Sequence, residues 1–120
     1  MQSIDVTCEN SVTVVTLGPE YESIFGAELG HFQDVISLAD SVEPPLMVMD
    51  LRHSNYFGSG FLGVLVQMAK QIKKRPGGQF GVCQVTGLCR DILIGTRMEH
   101  YFDLFDTRED AIAAYSQDKA

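Results

Sequence analysis

The sequence predicts an α/β fold in which a mostly parallel sheet is covered by helices. Short runs of apolar and β-branched residues alternate with longer stretches whose apolar residues recur every three or four positions. Glycine, proline and asparagine mark many of the boundaries between them. The first two strand-like runs are separated by a short turn and should form an antiparallel hairpin, whereas the later strands need helical crossovers and should be parallel. The predicted order is β-β-α-β-α-β-α-β-α, with the first strand antiparallel at or near one edge.

The predicted strands are short and end at turn-forming residues. They cover residues 4–8, 12–17, 46–51, 79–85 and 101–105. Cys8 and Cys83 lie in two of these runs, and we expect both to be small core residues. Residues 1–120 are enough for a single domain with its own core, and we expect residues 116–120 to fray.

Apolar periodicity predicts four helices. The first starts between residues 20 and 23 and ends near residue 39. Its apolar stripe consists of Phe25, Leu29, Phe32, Ile36 and Ala39. The second covers 59–74 and is stopped by proline and two glycines, and the third ends near residue 95. The last begins after Thr107, whose spacing from Asp110 fits a capping box.

The charge of the chain argues against polyanionic partners. The formal net charge is −7, whereas nucleic-acid binding and docking to an anionic membrane both need a basic face. The one basic cluster falls at the end of the second helix, where cations suit the helix dipole. It consists of Lys70, Lys73, Lys74 and Arg75.

Targeting and cysteine signals point to the cytoplasm. The sequence shows no signal peptide and no run long enough to span a membrane. Three scattered cysteines fit neither a disulfide framework nor a zinc site, and an odd number suits a reducing compartment. We therefore expect a cytoplasmic protein without nucleic-acid or membrane partners.

The candidate site lies in residues 46–65, where a buried strand is followed by a loop and a helix. In open α/β sheets, loops beyond the carboxyl ends of the strands meet ligands and partners. This loop ends in Gly58-Ser59-Gly60. A hydrolase nucleophile elbow needs glycine two residues on either side of the serine, and this chain has Phe57 and Phe61 there.

Other residues near this segment give no catalytic pattern. No feature places His53 or His100 beside Ser59 with an acid behind it. Asp50 is best interpreted as the polar end of a buried strand, since a receiver-type phosphoacceptor would need further acids and a lysine that the sequence lacks. We expect no catalytic residue, no metal and no cofactor.

Ser59 stands at the start of a predicted helix, and two interpretations remain open. It is the usual kind of residue for an N-cap. Alternatively, it accepts a phosphate, because the free N–H groups and the dipole of a helix start receive anions well. Around it, Tyr56, Phe57 and Phe61 predict an exposed apolar surface large enough for a protein partner.

Several short motifs, in their order and spacing, resemble the STAS family, the sulfate-transporter and anti-sigma-factor-antagonist domain. The resemblance covers nearly all of the chain and implies the STAS α/β fold. The motifs are Asp50-Leu51 at the strand end, the Ser59-centred loop with Leu62-Gly63, Gly77-Gly78, Arg90-Asp91-Ile92-Leu93, and Asp106-Thr107 with Ala111. The likeness is closest to free-standing antagonist domains.

The resemblance implies a non-enzymatic signalling protein that binds an anti-sigma factor with serine/threonine kinase activity. In the family, phosphorylation of a hydroxyl in this loop reverses the binding. The family loop resembles Asp-Ser/Thr-Ser/Thr/Ala-Gly-Leu-Gly. Aligned without gaps, Gly58 replaces the aspartate, and Ser59 takes the first hydroxyl position. Gly60 occupies the position that is normally phosphorylated, and Phe61 replaces the glycine. Because glycine cannot accept phosphate, the switch is either absent or moved to Ser59.

The partner-binding residues implied by the resemblance belong to the loop and the first turns of the helix. They are Tyr56, Phe57, Gly58, Ser59, Gly60, Phe61 and Gly63. Other functions stay open. The chain could be a module that senses a nucleotide or a lipid, or a scaffold component of a larger signalling assembly. It could also be an esterase-like enzyme built on Ser59.

Overall fold

A computed structural model describes residues 4–21, 23–24, 30, 32–85 and 87–116. The strands are β1 (Ile4–Glu9), β2 (Val12–Leu17), β3 (Ser23–Ile24), β4 (Leu46–Asp50), β5 (Tyr56–Phe57), β6 (Gln79–Cys83) and β7 (Asp103–Phe105). The α-helices are α1 (Gln33–Ser41), α2 (Ser59–Lys73), α3 (Gly87–Gly95) and α4 (Arg108–Tyr115).

The main sheet has five strands in the order β1-β2-β4-β6-β7. β1 pairs antiparallel with β2 at one edge, and the other neighbours pair in parallel. The predicted fold class, including the antiparallel first strand at an edge, is confirmed. A second, two-stranded parallel sheet of β3 and β5 was not predicted, because two-residue strands leave no periodic signal.

The hairpin between β1 and β2 has a two-residue turn with positive φ at both positions, 53° at Asn10 and 73° at Ser11. That geometry matches the right-handed twist of the paired strands, and asparagine adopts it at low cost. β1 has one neighbour in the main sheet, and its residues from Asp5 to Cys8 are exposed. The prediction that Cys8 is a core residue is therefore wrong, whereas Cys83 lies fully buried on the central strand β6.

The sheet has a separate apolar core on each face. Helices α1, α2 and α3 cover one face, with buried side chains such as Ile36, Leu65 and Leu93. Helix α4 covers part of the other face through Ala111, Ile112 and Tyr115. The central strand β4 is buried along its whole length, which explains its unbroken apolar sequence.

The first helix is shorter than the sequence predicted. Residues Pro19–Tyr21 form a 3₁₀ turn and Ser23–Ile24 form strand β3, so no α-helix starts between 20 and 23. α1 begins at Gln33 and buries Ile36 and Ala39. The predicted stripe is therefore correct for Phe32, Ile36 and Ala39, which are buried. Phe25 and Leu29 lie outside the described residues.

The later elements follow the predicted order with shorter strands. β6 ends at Cys83, and β7 spans only Asp103–Phe105 because a 3₁₀ turn occupies Met98–His100 just before it. The predicted cap of α4 is confirmed, since the Thr107 hydroxyl accepts a hydrogen bond from the backbone N–H of Asp110 at 3.0 Å.

Thiol reactivity should separate Cys8 from Cys83 and Cys89. Burial raises the pKa of the Cys83 thiol to about 12 and that of Cys89 to about 11, and the thiolate is the reactive form. In the folded protein near neutral pH, a chromogenic disulfide reagent should modify Cys8 quickly and the other two only after unfolding. In an unfolded chain, the pKa of a thiol is near 9.0, so between about pH 9 and pH 12 the folded state keeps two thiol protons that the unfolded chain has lost.

The free energy of unfolding should therefore fall as pH rises from about 9 to about 12.

The control is Cys8→Ser, in which the fast phase should vanish. Fast modification of a second thiol in the native protein would show that β6 or α3 opens readily, contrary to the burial described above.

Candidate functional site

The candidate site is the loop between β4 and α2, at the carboxyl edge of the parallel strands. Helices α2, α3 and α4 each follow a strand of the parallel set, so their first turns lie at this edge as well. Loops in this position are supported by the rigid sheet below them and are free to contact a partner.

Hydrogen bonds hold the loop on two sides. The Ser54 hydroxyl donates to the carbonyl of Tyr21 at 2.7 Å, and Ser54 is buried. The backbone N–H of Gly58 donates to the carbonyl of Ile24 at 3.0 Å, which continues the β3–β5 ladder. On the other side, the Cys89 thiol of α3 donates to the carbonyl of Ser54 at 3.5 Å. The loop is therefore fixed to both the β3 segment and α3.

Phe57 and Phe61 anchor the loop from inside. Each is 1% exposed, and their ring centroids lie 5.2 Å apart. The Phe61 ring also lies 5.2 Å from that of Phe32, and both contacts are tilted arrangements that aromatic rings favour. The prediction that Phe57 and Phe61 form an exposed apolar surface is therefore wrong. Phe57 pairs with β3 through β5, and Phe61 on the first turn of α2 packs against it in the core, where burial removes the apolar area of both rings from water.

The outward side of the site combines exposed loop residues, namely Arg52, His53, Asn55 and Tyr56, with glycines at the start of α2. Gly60 and Gly63 are exposed and Gly58 is half-buried. Nothing lies within 4 Å of a Cβ placed on Gly58 or Gly63, so both face open space. Two larger apolar side chains are exposed near this edge, Tyr56 on β5 at 36% and Leu88 in the first turn of α3 at 61%. A partner can therefore approach the backbone of α2 closely and meet apolar groups at its margin.

Ser59 is the first residue of α2, and the N-cap is Gly58. Gly58 has an extended backbone, with φ −92° and ψ −178°, and it provides no side-chain cap. The interpretation of Ser59 as the N-cap is therefore wrong by one residue. The first turn of α2 contains no acidic residue, so the positive end of its dipole has no carboxylate beside it on this helix.

The pairing of the Asp50 carboxylate with two arginines was the main feature that sequence reasoning missed. Asp50, at the end of β4, is 0% exposed and accepts hydrogen bonds from the Arg52 side chain at 2.9, 3.1 and 3.3 Å and from the Arg52 backbone N–H at 3.0 Å. The same carboxylate lies 3.4 Å from the Arg108 guanidinium on α4. These contacts with Asp50 raise the pKa of Arg52 above its usual range.

Arg108 connects Asp50 to the hairpin. Its guanidinium donates to the Thr16 hydroxyl at 3.1 Å and to the Thr7 hydroxyl at 3.3 Å, and it forms an ion pair with Glu9. The hydrogen bond to Glu9 raises the pKa of Arg108 above its usual range, and the Asp50 charge acts in the same direction. The apolar run ending in Asp50 with an arginine two residues later signalled a buried acid. The partnership with Arg108, 58 residues away, had no local signal.

The geometry gives no support to the esterase alternative. His53 is an exposed loop residue, and His100 lines a hollow with Lys70 and Lys73 at the far end of α2. Within the described residues, no group of three or more metal-ligating side chains occurs. No helix in the described parts of the chain is both long enough and apolar enough to cross a membrane.

Solved structures share this fold, although the chain matches no model of a known protein family and no curated protein sequence. An anti-sigma-factor antagonist (STAS) domain protein from Planctomyces limnophilus is 27% identical over 95% of this chain and 98% of its own, with a TM-score of 0.87. The chain folds as a STAS domain. An anti-sigma factor antagonist from Mycobacterium paratuberculosis is 24% identical over 98% of this chain and 96% of its own, with a TM-score of 0.81.

The resemblance inferred from the motifs is therefore confirmed, since structural neighbours of this chain are anti-sigma factor antagonists. Their names describe regulatory proteins, and the likeness supports a regulatory protein of the same general kind for this chain. The partner-binding and phosphorylation roles of residues 56–63 stay predictions.

Replacing Phe61 with alanine should unfold part of the STAS core. The change removes a buried ring that contacts Phe57 and Phe32, so the free energy of unfolding should fall by roughly 3–5 kcal/mol. Urea denaturation followed by circular dichroism measures the loss. As the matched control, Leu88→Ala removes an exposed apolar side chain at the same edge and should change stability by less than about 0.5 kcal/mol. If both variants lose the same small amount, Phe61 is not part of the core.

Proposed function

We propose that this STAS domain is a non-enzymatic signalling protein that binds an anti-sigma factor of the serine/threonine-kinase type. The binding surface belongs to the β4–α2 loop and the first turns of α2. It is here called the loop surface and consists of Tyr56, Gly58, Ser59, Gly60 and Gly63. Phe57 and Phe61 support it from inside. The observation that carries the proposal is a fixed loop that leads into a helix start at which Gly60 and Gly63 are exposed.

Preorganisation supports the proposal. A loop tied to Tyr21, Ile24 and Cys89 is already ordered before a partner arrives, so binding loses little conformational entropy there. The glycines let another backbone or helix approach closely, and an exposed tyrosine is among the side chains that contribute most at interfaces. The names of the neighbouring structures point to an anti-sigma factor as the partner.

The proposal places the protein in the cytoplasm, where sigma factors act. Cys8, Cys83 and Cys89 are all free thiols, and Cys8 is exposed. Free thiols persist in reducing compartments.

Regulation at the loop surface depends on where a hydroxyl is available. Gly60 occupies the position at which the family usually carries phosphate, and glycine has no hydroxyl. We propose that the partner is bound constitutively, with Ser59 as the one neighbouring acceptor. A phosphate on Ser59 would lie at the positive end of the α2 dipole and would be stabilised there.

A side chain added at Gly63 should block the partner without harming the fold. Gly63→Gln fills open space on α2 and should stabilise the helix by roughly 0.5 kcal/mol, since glutamine is a better helix former. Isothermal titration with the kinase-type anti-sigma factor encoded in the same genome should show at least about tenfold weaker binding. The matched control is Gly95→Gln, which fills open space on an exposed helical glycine of α3 away from the loop surface. Equal affinities for wild type, Gly63→Gln and Gly95→Gln would place the interface elsewhere.

A kinase assay should show whether the family's switch operates here. Incubated with the same anti-sigma factor and ATP, the wild type should stay unmodified, and Gly60→Ser should acquire one phosphate at residue 60. Mass spectrometry of the proteolysed products locates the modification. Phosphate on Ser59 in the wild type would show that the switch has moved, contrary to constitutive binding.

A further inference from the structure

The basic cluster at the C-terminal end of α2 faces a hollow of about 370 Å³. Its lining residues are Lys70, Lys73, Lys74, His100 and Tyr101. They come from two separate parts of the chain, the C-terminal end of α2 with its C-cap, and the end of the 3₁₀ turn at Met98–His100 with its C-cap. We propose that this hollow, here called the lysine hollow, binds a small molecule that carries several phosphate groups.

Charge placement is the first support. The chain has a net charge of −7, yet three of its four lysines line one hollow, and the described residues that line it include no acid. The ion pairs among the described side chains all involve arginines, and none of them joins Lys70 or Lys74 to a carboxylate. Neighbouring Arg75, in contrast, is paired with Glu43. The lysine hollow is therefore a concentrated positive site on an acidic protein.

The helix dipole explains only part of this arrangement. One or two cations in the last turn suit the negative end of α2. Lys70 stands three and four residues before Lys73 and Lys74, and like charges at these spacings repel each other on a helix. The dipole also does not account for His100 and Tyr101, which the fold brings to the helix end. A bound polyanion would relieve this repulsion.

Lys73 and Tyr101 give the hollow a defined shape. The Lys73 ammonium donates to the backbone carbonyl of Tyr101 at 2.5 Å, which holds the two segments together. The Tyr101 side chain is 42% exposed and offers a ring face beside the lysines. A base or another planar group can stack on such a face while phosphates meet Lys70 and Lys74.

The size of the site favours a small molecule over an extended surface. Pockets for small ligands usually fall between about 300 and 1,000 Å³. A membrane or a nucleic acid would bring an extended anionic surface against a protein of net charge −7, and long-range repulsion opposes that. The lysine hollow is separated from Ser59 by the length of α2, about 20 Å for 15 residues. It is therefore distinct from the loop surface.

Calorimetric titration of the full chain with tripolyphosphate and with ATP tests the proposal. Both probes should bind, with affinity that falls as salt rises, and Lys70→Gln/Lys74→Gln should weaken binding by about tenfold or more. The matched control is Arg90→Gln/Arg97→Gln, which removes the same charge from residues that do not line the hollow and should change the affinity less than about twofold. Thermal melts by circular dichroism should show that both double variants fold.

Two further experiments test which ligand chemistry the lysine hollow recognises. Tyr101→Ala keeps the backbone carbonyl that Lys73 contacts, and it should weaken ATP but not tripolyphosphate if the base stacks on the ring. Vesicles of phosphatidylglycerol should not bind, and binding to vesicles without binding to either probe would overturn the proposal. Failure of both probes, or an equal loss in the two double variants, would overturn it as well. None of these results depends on the anti-sigma partner, because the loop surface is untouched.

Discussion

The buried charge of Asp50 is the constraint around which the site end of the molecule is arranged. A carboxylate with no exposure to water is stable only when it is paired and hydrogen-bonded, and here Arg52 and Arg108 do both. Arg52 fixes the start of the loop, and Arg108 fixes the first turn of α4 and reaches Glu9 in the hairpin. A cation at a helix start opposes the dipole by about 0.3–1 kcal/mol, which the contacts with two carboxylates offset. Through its two arginine partners, Asp50 thus connects strand β4, the loop after it, helix α4 and the β1–β2 hairpin.

The loop surface is supported by an aromatic core that consists of Phe32, Phe57 and Phe61. The Phe61 ring fills the space between Phe57 and Phe32, and the backbone of Gly58 is bonded to that of Ile24 in β3. These contacts hold the loop from inside and leave Gly60 and Gly63 exposed at the start of α2. A docking surface of this kind depends on shape rather than on a switchable side chain.

The sequence predicted the main sheet and its helices well, and the details of the site less well. The hairpin, the buried β4, the Thr107 cap and the order of elements follow from patterns within a few neighbouring residues. The exposure of Phe57 and Phe61 was mispredicted because it depends on β3, a two-residue strand with no local signal. Asp50 with Arg108 was missed for the same reason, since side chains 58 residues apart meet only in the folded chain. Local pattern thus located the site, and tertiary contacts decided which of its residues face outward.

Helix α2 carries the two candidate surfaces at its opposite ends, and these ends differ in dipole character and in residue types. The N-terminal turns have positive dipole character, small residues and no charged side chain, which suits contact with a protein. The C-terminal turns have negative dipole character and would favour cations in any case. What the dipole does not require is the convergence of Lys70, Lys74 and Tyr101 on one hollow. The two ends are linked by a rigid helix that packs through Leu65, Met68 and Ile72. Binding at one surface could therefore affect the other surface only if this buried apolar face shifted. The structure therefore favours two independent sites over a coupled pair.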